Sequence, residues 1–205
     1  MPDGLRHHGA TAALAIPVIG FMALTVAAPT TYAWLSRNLA VRSSDLFSGQ
    51  IYRVATSAFV QSRAGILPSI VALFVLVPLC EHRIGTWLTL AVFVIGDWTA
   101  TTATFLALRV LTALGEATAR HALALPNSGA SAACYACAGA FVASLPRGRT
   151  RRIVAALLVT DLAVQAAVSH MLSDVQHPIS AVVGIAIASL ARDPRWRGLA
   201  SAEKQ

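Results

Sequence analysis

The chain has 205 residues, of which 56% are hydrophobic and only 12% are charged, and its mean hydropathy is +0.65. A soluble domain carries roughly a quarter charged residues, so these values exclude a soluble globular domain as well as a disordered chain. The net charge is +7, but the cations lie between apolar spans, which favours a role in membrane topology over binding to nucleic acid. The composition therefore indicates a multi-pass membrane protein.

Six apolar spans follow one another along the chain, and they cover residues 11–34, 64–80, 86–108, 128–145, 153–170 and 175–191. We expect each span to be a helix, because backbone groups in lipid must be satisfied within the segment. The apolar stretch of the first span exceeds the 7–15 residues typical of a signal-peptide core, so we expect this helix to be uncleaved. The pattern predicts an all-α membrane protein with one domain.

The distribution of cations predicts the orientation of the spans. With the N-terminus inside, ten cations lie on the inner side: Arg6, Arg83, Arg147, Arg149, Arg151, Arg152, Arg192, Arg195, Arg197 and Lys204. Six lie on the outer side: Arg37, Arg42, Arg53, Arg63, Arg109 and Arg120. The positive-inside rule therefore favours both termini inside, with cytoplasmic tails at about 1–9 and 192–205. Four aromatic residues suggest that segment 36–63 lies at the outer interface: Trp34, Phe47, Tyr52 and Phe59.

Ionisable residues within the spans are candidate functional groups, because burying them in lipid is costly. These residues are Asp97, Asp161, His170, Asp174 and His177, and the polar uncharged candidates are Ser131, Tyr135, Thr99, Thr101, Thr102 and Thr104. Asp174 is expected to cap the sixth span, with a partner role for His170 or a gate role as the alternatives. Cys134 and Cys137 form a C-x-x-C pair without a nearby histidine, so we expect packing in a helix rather than a zinc site.

Ser131 and His177 are predicted to lie at the same depth. Each falls in the first turn of a span that runs from outside to inside, one in the fourth span and one in the sixth. Both spans carry small residues at helical spacing, which lets helices approach closely in lipid. The two side chains can then form a nucleophile–base pair, with Tyr135 placed one turn on to stack against the imidazole. The alternative is a serine that only bonds a carbonyl of its own helix.

Two segments around these residues resemble the rhomboid family of intramembrane serine proteases. GASAACYACAGA at 129–140 is similar to the family's G-x-S-G helix, with Gly129 at its first glycine and Ser131 as the nucleophile. Tyr135 matches a position that is often aromatic in the family. HPISAVVG at 177–184 looks like the A-H-x-x-G-x-x-x-G helix, with His177 as the general base.

Two further segments extend the resemblance over about residues 49–190. GQIYRVATSAFV at 49–60 resembles the family's G-x-x-W-R-x-x-T-x-x-F segment, with Tyr52-Arg53 in place of Trp-Arg. CEHRIG at 80–85 is similar to its E-x-R-x-G turn. The resemblance implies a six-helix bundle and a serine–histidine dyad that needs no third acid, metal or cofactor.

The chain departs from the family at the residues that stabilise the oxyanion. The second glycine of G-x-S-G is Ala132, and the histidine and asparagine of the family's second helix are absent. Their positions fall at Gly65 and Ser69 or at Ile66 and Ile70, depending on which flanking motif sets the alignment. One such donor is worth roughly 10²–10³ in rate.

Three groups are candidates to replace these donors. They are the side chains of Ser69 and Gln61 and the backbone N–H of Ser131, which lies at a helix N-terminus. Pro178 follows the histidine and is expected in the first turn, where proline is tolerated. Ser180 stands where the family has the next glycine.

We therefore expect a single rhomboid-like transmembrane domain over 1–205, with six helices and both termini inside a bacterial plasma membrane. The first hypothesis is a serine protease that cleaves single-pass membrane proteins near the outer end of their helices. The second is a catalytically inactive protein that binds membrane-protein clients, because the oxyanion residues are missing. The third is a small transporter or channel, suggested by Asp97 and Asp161 in mid-span.

Overall fold

The computed structural model describes residues 9–61, 66–168 and 173–192, and within these ranges every regular element is an α-helix. The helices are α1 Gly9–Ala27, α2 Pro29–Asn38, α3 Ser43–Phe47, α4 Tyr52–Ser57, α5 Ile66–Ile84, α6 Thr86–Ala113, α7 Ala117–Ala124, α8 Ser131–Ser144, α9 Arg149–Val168 and α10 Ser173–Leu190. The expected all-α fold is confirmed.

Three of the helices are long and apolar enough to cross a membrane, namely α1, α5 and α6. The apolar helices α8 and α10 are shorter. Helix α9 has three arginines among its first four residues and Asp161 further along, which makes it the least apolar of the six long helices. Length and composition therefore support a membrane protein.

The first helix ends earlier than its apolar span predicts. Helix α1 ends at Ala27, seven residues before the expected boundary at Trp34, and Ala28 is extended with φ −142° and ψ 109°. A residue that precedes a proline is pushed out of the helical region, so Pro29 stops α1. The same proline is well suited to the first turn of α2, so the chain bends here and continues as a second helix.

Other boundaries differ because apolar periodicity does not report helix caps. Helix α6 runs past 108 to Ala113, and helix α7 forms between the third and fourth predicted spans. Helix α10 begins at Ser173, so Asp174 is in its first turn. Pro178 lies inside the helix rather than in its first turn, where it removes one intrahelical hydrogen bond. His170 lies outside the described residues.

Helix α8 is the centre of the bundle and packs against α5, α6 and α10. Only Ser131, Tyr135 and Phe141 of its residues are not buried. Its backbone touches that of α10: a Cβ on Gly184 would lie 1.9 Å from the carbonyl oxygen of Ala136. The absence of a side chain at this position allows the two helices to approach closely.

Two arginines cap the C-terminal end of α8. Arg83 donates to the carbonyl of Ser144 at 3.1 Å, and Arg192 donates to the carbonyls of Ala143, at 2.7 Å, and of Ser144. Carbonyls in the last turn of a helix have no partners within it, and cations there also complement the helix dipole. These contacts fix the end of α8 that lies opposite Ser131.

Glu81 joins the end of α5 to the start of α1. Its carboxylate accepts hydrogen bonds from the backbone N–H groups of Ala10, at 2.7 Å, and of Thr11, at 2.9 Å. The hydroxyls of Thr11 and Thr86 donate to it as well, both at 2.8 Å. A buried carboxylate is tolerated when such donors surround it, and here it satisfies orphan N–H groups of the first helix.

We expect Glu81→Gln to lower the free energy of unfolding by about 2 kcal/mol, because the new amide group faces donors and leaves at least one of them unpaired. Glu116→Gln is the matched control, since Glu116 lies on the surface between α6 and α7. Thermal unfolding in detergent micelles measures the difference, and amide exchange at Ala10 and Thr11 should become faster only in Glu81→Gln. Equal unfolding curves for the two variants would contradict this role of Glu81.

Candidate active site

Ser131 and His177 are brought together by the close packing of α8 and α10. Ser131 is the first residue of α8, and His177 is the fifth of α10. The serine Oγ lies 3.0 Å from Nε2 of the histidine, which is hydrogen-bonding distance. The histidine is 6% exposed. A serine hydroxyl and an imidazole in this relation have the geometry of a nucleophile and its base.

Gly129 shapes the turn that presents Ser131. Its φ of +120° is in the region that favours glycine, and its N–H donates to the carbonyl of Ser57 at 2.9 Å. A Cβ at this position would lie 3.1 Å from Oε1 of Gln61 and 4.0 Å from Oγ of Ser131. The glycine is therefore required by its backbone conformation, and a Cβ here would also crowd the amide of Gln61.

Tyr135 stacks on the imidazole of His177. The two ring centroids are 4.3 Å apart and the planes differ by 20°. Tyr135 follows Ser131 by four residues, so both side chains lie on the same face of α8. The stacked ring limits the rotation of the histidine and keeps Nε2 directed towards the serine.

The second nitrogen of His177 contacts a residue that the sequence patterns did not single out. Nδ1 lies 2.8 Å from Oε1 of Gln165 on α9. The amide nitrogen of Gln165 donates to Oδ2 of Asp161 at 2.8 Å and to the hydroxyl of Tyr135, which itself donates to Asp161. The available signal was the four-residue spacing of Asp161 and Gln165, which places two polar side chains on one face of an apolar helix.

The candidate side chains that could replace the oxyanion donors differ in whether they lie beside the turn that carries Ser131. Ser69 is buried on α5 but makes no hydrogen bond to Ser131 or His177 in the described part of the chain. Gln61 is buried beside Gly129, and its amide nitrogen donates to the carbonyl of Ala58 at 3.0 Å. No side chain caps the N-terminus of α8. The backbone N–H groups of its first turn therefore have no side-chain partner and remain candidate donors to the oxyanion.

A polar network ties α6, α10 and the chain before α8 together beside the site. Thr101 on α6 accepts hydrogen bonds from the amide groups of Gln176, at 2.7 Å, and of Asn127, at 3.3 Å. The backbone of Asn127 pairs in turn with that of Val41. This network fixes the start of α10 relative to the turn that carries Ser131.

Segment 36–61 is held together by the arginine of its motif. Arg53 donates to the carbonyls of Arg37 and Ala40, at 2.8 and 3.3 Å, and forms an ion pair with Asp45 at 3.3 Å. Tyr52 in this segment and Trp34 just before it are more than half exposed, at 56% and 59%. The segment is thus a compact structure with aromatic side chains on its surface.

The remaining sequence candidates lie apart from the serine. Asp97 on α6 is 3% exposed and lines a cavity of about 90 Å³ with Phe59, Phe93 and Trp98, and no hydrogen bond joins it to Ser131 or His177. The three cysteines are buried and free. No group of three or more histidine, cysteine or carboxylate side chains comes together in the residues that the structure describes.

Comparison with known proteins adds one finding to this geometry. A family model, the Rhomboid domain, matches residues 48–193, which is more than half of the chain. No curated protein and no solved structure matches the chain significantly. The matched range covers the turn at Gly129 and the helices that carry Ser131 and His177. The chain is therefore a member of the rhomboid family.

Proposed function

We propose that this protein is an intramembrane serine protease in which Ser131 is the nucleophile and His177 the general base. The observation that carries the proposal is the distance of 3.0 Å between the serine Oγ and the histidine Nε2 at the N-terminus of α8. Membership of the rhomboid family supports the same reaction class.

The chemistry follows from these positions. Nε2 of His177 accepts the hydroxyl proton as Oγ of Ser131 attacks a peptide carbonyl, and the same nitrogen returns the proton to the leaving amine. The acyl-serine is then hydrolysed by water, with the histidine as base again. The negative oxygen of the tetrahedral intermediate is stabilised by N–H groups of the first turn of α8, where the helix dipole is positive.

The length of α8 supports a site below the membrane surface. Its 14 residues span about 21 Å, which is less than the roughly 30 Å of a bilayer core. Its C-terminal end is bound by Arg83 and Arg192 and belongs to the cation-rich inner side. We propose six membrane helices with both termini inside a bacterial plasma membrane, so that Ser131 lies towards the outer side. The substrates are then single-pass proteins cut near the outer end of their helices.

Cleavage of a model single-pass substrate in proteoliposomes tests the proposal. Wild type should release the outer part of the substrate, and Ser131→Ala should release none. Ser180→Ala is the matched control, because this serine lies on α10, is fully buried, and its hydroxyl has no partner among the described residues. Cleavage that is unchanged in Ser131→Ala would rule the proposal out.

A second candidate function is the binding of membrane-protein clients without cleavage. It is favoured because neither candidate side-chain donor is hydrogen-bonded to Ser131 in the described residues. Ser69 makes no hydrogen bond to Ser131 or His177, and the amide of Gln61 donates to the carbonyl of Ala58. This function predicts that a client co-purifies equally well with wild type and with Ser131→Ala, and that its mass stays intact with both. Loss of all client binding in Ser131→Ala would count against it.

A further inference from the structure

The polar cluster on α9 lies against the histidine rather than against substrate. Helix α9 has no buried residue between Arg149 and Ala167, yet Asp161 and Gln165 both reach the site. Gln165 contacts Nδ1, the ring nitrogen that faces away from Ser131. A group at this nitrogen can act on the serine only through the imidazole.

The donors and acceptors of the cluster fix which way the amide of Gln165 points. Oδ2 of Asp161 accepts hydrogen bonds both from Tyr135 and from Gln165. If the amide were turned over, its carbonyl oxygen would face this accepting oxygen and the hydroxyl of Tyr135 would lose its donor. The NH₂ group of Gln165 therefore faces Asp161, and its oxygen faces His177.

The orientation of this amide determines the tautomer of the histidine. An amide oxygen only accepts, so Nδ1 of His177 must carry the proton. Nε2 of the neutral ring then has its lone pair free, and this is the nitrogen beside Ser131. We infer that Gln165, oriented by Asp161 and Tyr135, is a positioning residue that holds His177 in the tautomer needed to take the proton of Ser131. The kinetic consequence rests on the proposed protease function, whereas the tautomer does not.

Nitrogen-15 NMR of the imidazole tests the inference directly. The chain has six histidines, and the signals of His177 are assigned by their loss in His177→Ala. We expect wild type to show a hydrogen on Nδ1 and none on Nε2. Gln165→Leu should give a mixture of both tautomers, whereas Thr160→Leu, an exposed change on the same helix, should leave the spectrum unchanged.

Rescue separates this role from a merely structural one. Gln165→Glu alone places two carboxylates side by side. The double variant Asp161→Asn with Gln165→Glu exchanges the two groups, so that the amide is at position 161 and the carboxylate at position 165. The exchanged pair should recover the Nδ1–H tautomer.

Substrate cleavage provides the kinetic readout of the same variants. In Gln165→Leu, kcat should fall on the order of 10²-fold, because the imidazole of His177 is no longer held in the reactive tautomer. KM should not change, because Gln165 does not bind substrate. The exchanged pair should recover most of the lost kcat.

The outcomes distinguish this inference from the proposed function. A hydrogen on Nε2 in wild type, or a tautomer and kcat that do not change in Gln165→Leu, overturns the inference and leaves the protease proposal in place. A wild type that cleaves nothing but shows the expected tautomers overturns the protease function and leaves the role of Gln165 intact.

Discussion

Labelling by a fluorophosphonate serine probe is expected for the wild-type protein and not for Ser131→Ala. The probe needs a serine oxygen whose proton is taken up as it attacks, and the only side-chain base bonded to Ser131 in the described residues is His177. His177→Ala should therefore slow labelling on the order of 10⁴-fold, because a serine without its base loses most of its reactivity. The rate of labelling is measured on protein purified in detergent, by fluorescence in a gel.

The controls make this result specific to the pair. Ser180→Ala removes a buried hydroxyl on α10 and should be labelled at the wild-type rate. Tyr135→Phe keeps the ring that stacks on the imidazole but loses the bond to Asp161, so it should keep more activity than Tyr135→Ala. Labelling of Ser131→Ala at the wild-type rate would place the reactive serine elsewhere. No labelling of wild type, with helical circular dichroism intact, would favour the client-binding function.

The proximity of Ser131 and His177 could be predicted from the depth expected for each residue and from the small residues on their two helices. The predicted depth of each residue follows from the number of predicted spans before it, and the small residues on both helices, such as Gly139 and Gly184, indicate that the helices approach each other. The family motif adds the expectation of chemistry. In the structure the serine Oγ and the histidine Nε2 lie 3.0 Å apart.

The sequence patterns missed features that depend on side-chain direction or on local backbone geometry. Gln165 carries no charge, so it does not stand out in an apolar span as Asp161 does, and only the packing of α9 shows that it reaches the histidine. The end of α1 at Ala27 depends on a single X-Pro step within an otherwise apolar run. Helix α7 forms in a segment without the apolar content of a span.

Gly184→Ala is expected to destabilise the bundle by about 3 kcal/mol, the upper end of the usual cost of overpacking. The added Cβ would lie 1.9 Å from the backbone carbonyl oxygen of Ala136, and backbone cannot turn aside as a flexible side chain can. Gly139→Ala should behave alike, since its Cβ would lie 2.0 Å from the carbonyl oxygen of Ala181. Gly20→Ala is the control, because in the described part of the chain no neighbouring element comes within 4 Å of a Cβ there. Thermal unfolding in micelles compares the three variants.

The same substitution links the packing of the bundle to its chemistry. To admit a Cβ at Gly184, α10 must move away from α8, and His177 lies on α10 two turns from this contact. The distance of 3.0 Å between Nε2 and Oγ then grows, and a displacement of about 1 Å costs on the order of 10²-fold in rate. Gly184→Ala should therefore lose probe labelling at temperatures where its helices are still folded, whereas Gly20→Ala should keep both properties. Labelling that declines only together with unfolding would show that the approach of the two helices stabilises the fold without setting the geometry of the pair.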